Sequence, residues 1–191
     1  WQTSRLFIIA EAGSNWRMGT AARDLAMGKA LIDVACEAGA DAVKFQTYRA
    51  NSTYVANAGA VEYLAKSGIK EDISDIFADP SMPDPLVGEL AAYCQQKNIQ
   101  FMSSPFSLRD FEVVDPFVSI HKIASYEISH RQLIQRAAKS GKPTILSTGA
   151  STPDDIGWAV DYYHEQGGKN LCLMQCTAKY PCPLDQLNLQ V

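Results

Sequence analysis

The chain has 191 residues, 47% of them hydrophobic, and a formal net charge of -4. That is enough for one domain with a sizeable core. It excludes the basic field that nucleic-acid or anionic-membrane binding requires, and no apolar run reaches the length of a membrane span. The opening Trp1-Gln2-Thr3-Ser4-Arg5 has neither an initiator Met nor a signal-peptide pattern, which points to a trimmed chain or a fragment. Cys36, Cys94, Cys172, Cys176 and Cys182 are odd in number and scattered. They read as buried reduced thiols of a cytoplasmic protein rather than as a disulfide framework.

Taken in chain order, the first strand is expected over Leu6–Glu11, closing in the turn residues Gly13-Ser14-Asn15. A helix over Thr20–Ala38 follows, with Thr20 as its cap, Leu25, Leu31, Ile32 and Ala35 as its apolar stripe, and Gly39 as its stop. The second strand, Ala42–Gln46, puts Ala42, Lys44 and Gln46 on one face and Val43 and Phe45 on the other. An insertion spans roughly 48–85, between strand 2 and helix 2, with one short helix expected near 58–66. Its length suits a lid or binding loop, or else a surface excursion or an oligomer contact. Asp84-Pro85 is expected to cap the next helix, which runs to about Lys97. The third strand is Ile99–Ser103, and Ser107-Leu108-Arg109-Asp110 is a capping box for a short helix. A central strand over 119–124 comes next. Ser129-His130-Arg131-Gln132 starts a helix closed by Gly141, and the fifth strand is Thr144–Ser147. Thr152-Pro153-Asp154-Asp155 is a further capping box, Gly167-Gly168 ends its helix, and the sixth strand runs from Leu171 to Gln175.

Six strands alternating with helices imply βαβ units and a parallel sheet. A doubly wound open sheet and a (β/α)8 barrel both fit, but no GxGxxG opens the first helix. Polar residues close every strand: Glu11, Lys44, Ser103-Ser104, Glu127, Ser147-Thr148 and Thr177-Tyr180. In a TIM-type barrel these converge on one mouth. A barrel needs eight βα units and this sequence supplies about six, so the fold class is α/β, a truncated (β/α)8 barrel.

The chain is organised around His121-Lys122-Ile123-Ala124-Ser125-Tyr126-Glu127. Alternation puts Lys122 on a face otherwise made by Ile120 and Ala124, with Glu127 just beyond the strand's end. A lysine there with an acid beyond the strand suits an active site of this fold. It suits a structural ion pair equally well, and the stretch alone does not choose. Lys44 and Lys122, Glu11 and Glu127 and several hydroxyls would then share the rim. The turn Ser147-Thr148-Gly149 offers hydroxyls and backbone N–H groups to an anion, although a capped loop explains it too. Glu127 is placed to move protons. His121 is expected to point away from Lys122, and His130 and His164 lie at or on helices, so none is placed to ligate a metal.

Five stretches then identify a family. Phe7–Asn15, Gly39–Thr47, Lys122–Glu127, Gly141–Gly149 and Gln175–Pro181 resemble sialic acid synthase, in the right order and over nearly the whole chain except the insertion. The resemblance implies phosphoenolpyruvate-dependent nonulosonic acid synthases, which condense phosphoenolpyruvate with an open-chain N-acetylated hexosamine such as N-acetylmannosamine. It implies a divalent metal, manganese or magnesium, that polarises the sugar aldehyde. Carried onto matching positions, Lys44 and Lys122 hold carboxylate and phosphate, and Ser104, Ser125 and Ser147 add hydrogen bonds. Glu127 becomes the acid/base. Glu11, Gln46, Thr177 and Tyr180 bind substrate or order the site.

The sequence departs from the family at Trp16, where His is frequent, and at Ala178, where Ser or Asn is frequent. By the same resemblance the metal-ligating histidines are expected beyond Val191, on the last two barrel strands, followed by an antifreeze-protein-like domain. Residues 1–191 are therefore read as a partial barrel domain, inactive alone and homodimeric when full length. Two other readings stay open: a Schiff-base aldolase using Lys122 or Lys44, and a barrel-derived binding module without catalysis.

Overall fold

The structure, a computed structural model, describes residues 5–49, 81–179 and 181–189. Its strands are β1 (Ile9–Gly13), β2 (Ala42–Thr47), β3 (Gln100–Pro105), β4 (His121–Ile123), β5 (Thr144–Ser147) and β6 (Leu171–Met174). Between them lie α1 (Ala21–Glu37), α2 (Asp84–Lys97), α3 (Leu108–Val114), α4 (Arg131–Ser140) and α5 (Pro153–Glu165). β1-β2-β3 and β4-β5-β6 form two parallel ladders in chain order, and β3 adjoins β4. This consecutive order is the barrel's winding and not the reversal of a doubly wound sheet. The insertion, apart from its two ends, and the short helix expected at 58–66 lie outside the described residues.

The two faces of the strands separate as alternation requires. Val43, Phe45 and Phe101 face outward and pack with Ile32 and Ala35 of α1 and Val87 and Leu90 of α2. Ile123 and Leu146 face Leu133, Ile134 and Ala137 of α4 and Ala159 and Tyr163 of α5. The inner face has its own apolar floor of Ala42, Met102 and Ile145, bordered by Ile9, Ile120, Cys172 and Met174. α1 and α2 lie close because Gly28 has no side chain; a Cβ there would stand 2.6 Å from Leu90 Cδ2.

Element ends differ from expectation where a partner decides them. β1 begins at Ile9, not Leu6, because its ladder starts with Ile9 opposite Ala42; Leu6 and Ile8 are left exposed. β2 and β3 run on to Thr47 and Pro105, which pair with each other. β4 keeps only the three residues in register with β5, and Ser125–Glu127 turns into one turn of 3₁₀ helix. β6 stops at Met174, where its ladder with Ser147 ends.

The helix caps follow the expected residues in part. Ser107 accepts from the N–H of Asp110, and Thr152 with Asp155 makes a full capping box. Thr20 holds the cap position of α1 without a side-chain cap bond. Asp84 is the first residue of α2 rather than its cap, and its carboxylate pairs with Arg49 and Arg109. α4 is capped by His130, whose Nδ1 accepts from Leu133 N at 3.2 Å.

Candidate active site at the carboxyl ends of the strands

Parallel pairing sets the inner-face polar residues side by side. Glu11 stands opposite Lys44, and Gln46 opposite Ser104. Glu11 and Lys44 form an ion pair. Lys122, only 5% exposed, rises from the inner face of β4. Its Nζ donates to Ile123 O at 2.8 Å and to Ser147 Oγ, on neighbouring β5, at 2.7 Å. Behind the end of β5, Gly149 N donates to Ser125 Oγ at 3.1 Å. The Cys176 carbonyl and thiol close over the same glycine.

The hydrogen-bond polarity of this group is one-sided. An ammonium has three N–H donors and a hydroxyl one. Two of the Lys122 donors are engaged. The Ser147 and Ser125 oxygens each accept from a donor, which leaves their own hydrogens to be given elsewhere. Ser104 Oγ is buried with no partner among the described residues. The site is therefore built to donate, which suits an anion.

Burial and charge tune both titrating groups. Burial pushes the Lys122 amine down to about 8, with the Lys44 cation adding to the effect. Burial also raises the Glu127 carboxyl to about 7. Glu127 Oε2 is buried without a hydrogen-bond partner among the described residues. At neutral pH both groups stand where proton transfer is easiest.

Several expectations about this rim change. The backbone N–H groups of the Ser147-Thr148-Gly149 turn do not line an anion cradle: Thr148 N and Oγ1 both donate to Met174 O, and Gly149 N is taken by Ser125. The turn's contribution is the Ser147 hydroxyl. Thr177 Oγ1 donates to Gln186 O, tying it to the segment after β6. Tyr180 lies outside the described residues. His121 points away from Lys122 as expected. It stacks on Phe111, bonds Asp115 through Nε2 at 3.0 Å and is pushed by burial to about 4. Trp16, one of the two departures, is buried in the outer core.

Two groups escaped the sequence reading. Gly149 and Cys176 sat inside motifs, but nothing in a linear pattern signals their approach to Ser125. Arg49, just past β2, pairs with Asp84 and with fully buried Asp110; Asp84 stands at the far end of the insertion and Asp110 beyond it, too far along the chain for any spacing rule. Among the described residues no group of three or more His, Cys, Asp or Glu converges to hold a metal ion. None of the helices among them is long and apolar enough to cross a membrane.

Residues 31–191 match the NeuB family. The chain belongs to that family. It is 35% identical over 187 residues to the spore coat polysaccharide biosynthesis protein SpsE of Bacillus subtilis, covering 97% of this chain and 48% of that protein. It is 31% identical over 189 residues to a pseudaminic acid synthase of Campylobacter jejuni, covering 97% and 53%. The chain thus spans about half the length of these curated NeuB relatives. Among solved structures, an N-acetylneuraminic acid synthetase of Leptospira borgpetersenii, in complex with citrate, superposes with a TM-score of 0.80 at 29% identity. The superposition covers 96% of this chain and 58% of that one. A DAHP synthase of Thermotoga maritima, 12% identical with a TM-score of 0.58, shares the fold alone. The fold is thus the barrel type that the sequence implied, and the relatives that carry enzyme names include synthases of N-acetylneuraminic, pseudaminic and N,N'-diacetyllegionaminic acid.

Proposed function

We propose that this chain forms the phosphoenolpyruvate-binding part of a synthase that joins phosphoenolpyruvate to an N-acetylated hexosamine, N-acetylmannosamine or a related amino sugar. The products are a sialic-acid-type nonulosonic acid and phosphate. The observation that carries the reading is Lys122: a buried amine without a carboxylate ion pair among the described residues, set in a group of hydroxyls with hydrogens left to donate. Such a site favours a small, multiply charged anion.

In this reading Lys122 and Lys44 hold the carboxylate and phosphate of phosphoenolpyruvate, with Ser104, Ser125 and Ser147 donating to the same ligand. C3 of phosphoenolpyruvate bonds to the sugar's aldehyde carbon, whose oxygen takes a proton. Water adds at C2, and the C2–O bond to phosphate breaks, which leaves the keto acid. Glu127, with its carboxyl near 7, takes the proton from that water or returns one to the departing oxygen. Glu11, Gln46, Thr177 and Tyr180 are assigned to the sugar or to ordering the rim. A divalent metal, manganese or magnesium, would supply Lewis-acid polarisation of the aldehyde. The described residues hold no donor set for it. The full-length protein is proposed to be a cytoplasmic homodimer, and residues 1–191 alone to be inactive.

The test is phosphate release from phosphoenolpyruvate by the full-length protein with manganese and N-acetylmannosamine, beside Glu127→Gln. Release that depends on sugar, metal and Glu127 is expected. No release with any of a panel of acetamido and deoxy amino sugars would overturn the reading, as would robust turnover by the isolated chain for the claim of inactivity. A second reading is a Schiff-base aldolase, favoured by an amine lowered to about 8 beside a second cation. Borohydride trapping of a carbonyl substrate on Lys122 would establish it; the synthase reading expects no adduct.

A further inference from the structure

Gly149 occupies a backbone conformation open to ordinary residues, whereas the next residue, Ala150, sits at φ 55° in the left-handed region that favours glycine. The turn therefore places its glycine one residue away from where the backbone would use it, and Ala150 carries the conformational cost instead. The reason for a glycine at 149 is space. A Cβ there would stand 2.9 Å from Cys176 O, 3.0 Å from Ser125 Oγ and 3.2 Å from Cys176 Sγ. Contacts below 3 Å to a backbone atom force a shift, and the Cys176 carbonyl is not the end of a flexible side chain. What the missing side chain permits is the 3.1 Å hydrogen bond from Gly149 N to Ser125 Oγ.

That bond has a directional consequence. Because Ser125 Oγ accepts from Gly149, its O–H turns away from the β5–β6 wall. Ser147 Oγ is oriented in the same manner, by Lys122 Nζ. The two hydroxyls are thus fixed as donors by two different partners, one from a side chain and one from a backbone amide. Ser125 is buried and begins the 3₁₀ turn that also carries Glu127. A displaced Ser125 moves the donor and its turn together.

We propose that Gly149 is a positioning residue of this site, which holds the Ser125 hydroxyl as a donor toward the anion bound at Lys122. The proposal rests on the phosphoenolpyruvate reading above. Gly149 acts through Ser125 and itself touches no substrate.

The test is a double-mutant cycle on the full-length protein, with phosphoenolpyruvate binding read by calorimetry rather than by turnover. Gly149→Ala is expected to weaken binding at least tenfold. In a Ser125→Ala background the same change is expected to cost less than twofold, because the group it disturbs is already gone. Ala150→Gly, which relieves the left-handed position without filling any space, is expected to leave binding within twofold of the parent and to raise the melting temperature. Equal losses in the two backgrounds would overturn the positioning role, since general disruption adds independently of Ser125. Unchanged binding in Gly149→Ala would overturn it directly. If the parent protein itself binds no phosphoenolpyruvate, the functional reading falls and this inference falls with it.

Discussion

Lys122 and Glu127 lie five residues apart at the end of one strand, yet they form no ion pair. Lys122 Nζ bonds Ile123 O and Ser147 Oγ, and Glu127 Oε2 is buried without a hydrogen-bond partner among the described residues. A structural pair would hold both groups charged, with the lysine raised and the acid lowered. Here the shifts run the other way: the amine falls to about 8 and the carboxyl rises to about 7. Burial dominates both, and the ion pair that does form, Glu11 with Lys44, stands at the more exposed edge. The arrangement keeps a cation and an acid close to neutrality in one site, as an enzyme that handles an anion and a proton requires.

Glu127→Gln tests the acid's environment through stability. A carboxyl raised from its usual value to about 7 binds more protons in the folded state between those values, so folding stability falls as pH rises through that window. The cost is complete above pH 7 and absent below about 4.5. Glu127→Gln should therefore be indistinguishable from the parent near pH 4 and more stable by about 1–3 kcal/mol at pH 8. Denaturant unfolding at the two pH values checks this. A gain that is the same at both would mean the carboxyl is not held protonated by burial.

Lys122→Met should separate stability from binding. The buried ammonium costs most below pH 8, and the cost disappears as pH rises toward the ordinary lysine value. The substitution keeps the length of the stem and removes the charge, but leaves Ile123 O and Ser147 Oγ without their donor. The net expectation is a gain of about 1–2 kcal/mol at pH 7 that shrinks by pH 10, together with loss of phosphoenolpyruvate binding. A variant that loses stability at pH 7 would mark Lys122 as a structural anchor.

Gly28→Ala isolates the packing of α1 on α2. Alanine is the better helix former by about 1 kcal/mol. Its Cβ would meet Leu90, fully buried, at 2.6 Å. The overpacking is expected to win, for a net loss of about 1–2 kcal/mol in denaturant unfolding. Adding Leu90→Val should recover at least half of that loss. A stabilised Gly28→Ala would show that Leu90 finds another rotamer without strain.

The parts legible in the sequence were those set by local chemistry. Alternation along Ala42–Gln46 and Ile120–Ala124 placed Lys44 and Lys122 on the inner face. The Ser107 cap and the Thr152 capping box announced their helices. Strand ends were misjudged where a neighbour's length decides them: Leu6-Phe7-Ile8 is apolar enough for a strand but has no ladder partner before Ala42. The turn after β5 showed its Ser-Thr-Gly composition. It did not show that Met174 and Ser125 take the amides of Thr148 and Gly149. Those bonds tie the end of β5 to its neighbours β6 and β4, which parallel pairing sets side by side although the chain between them is 20 residues or more.

The clamp formed by Arg49 carries the last prediction. Arg49 leaves the end of β2 and pairs with Asp84 at the start of α2 and with Asp110 of α3. Asp110 is 0% exposed, and its burial raises the carboxyl despite the guanidinium and the Ser107 hydroxyl, which donates to it at 2.6 Å. Arg49→Met would leave that buried carboxylate without its counter-charge, and breaking such a pair typically costs about 3–5 kcal/mol. Arg49 is partly exposed, so about 2–3 kcal/mol is expected here at pH 7. The loss should shrink as pH falls, because protonating Asp110 removes the charge that lacks a partner. Arg49→Met combined with Asp110→Asn should be more stable than Arg49→Met alone, since the amide is neutral in the same place. Urea unfolding of the three proteins at pH 5 and pH 7 measures both effects. Equal losses at the two pH values, with no recovery in the double variant, would assign the role of Arg49 to its packing rather than its charge.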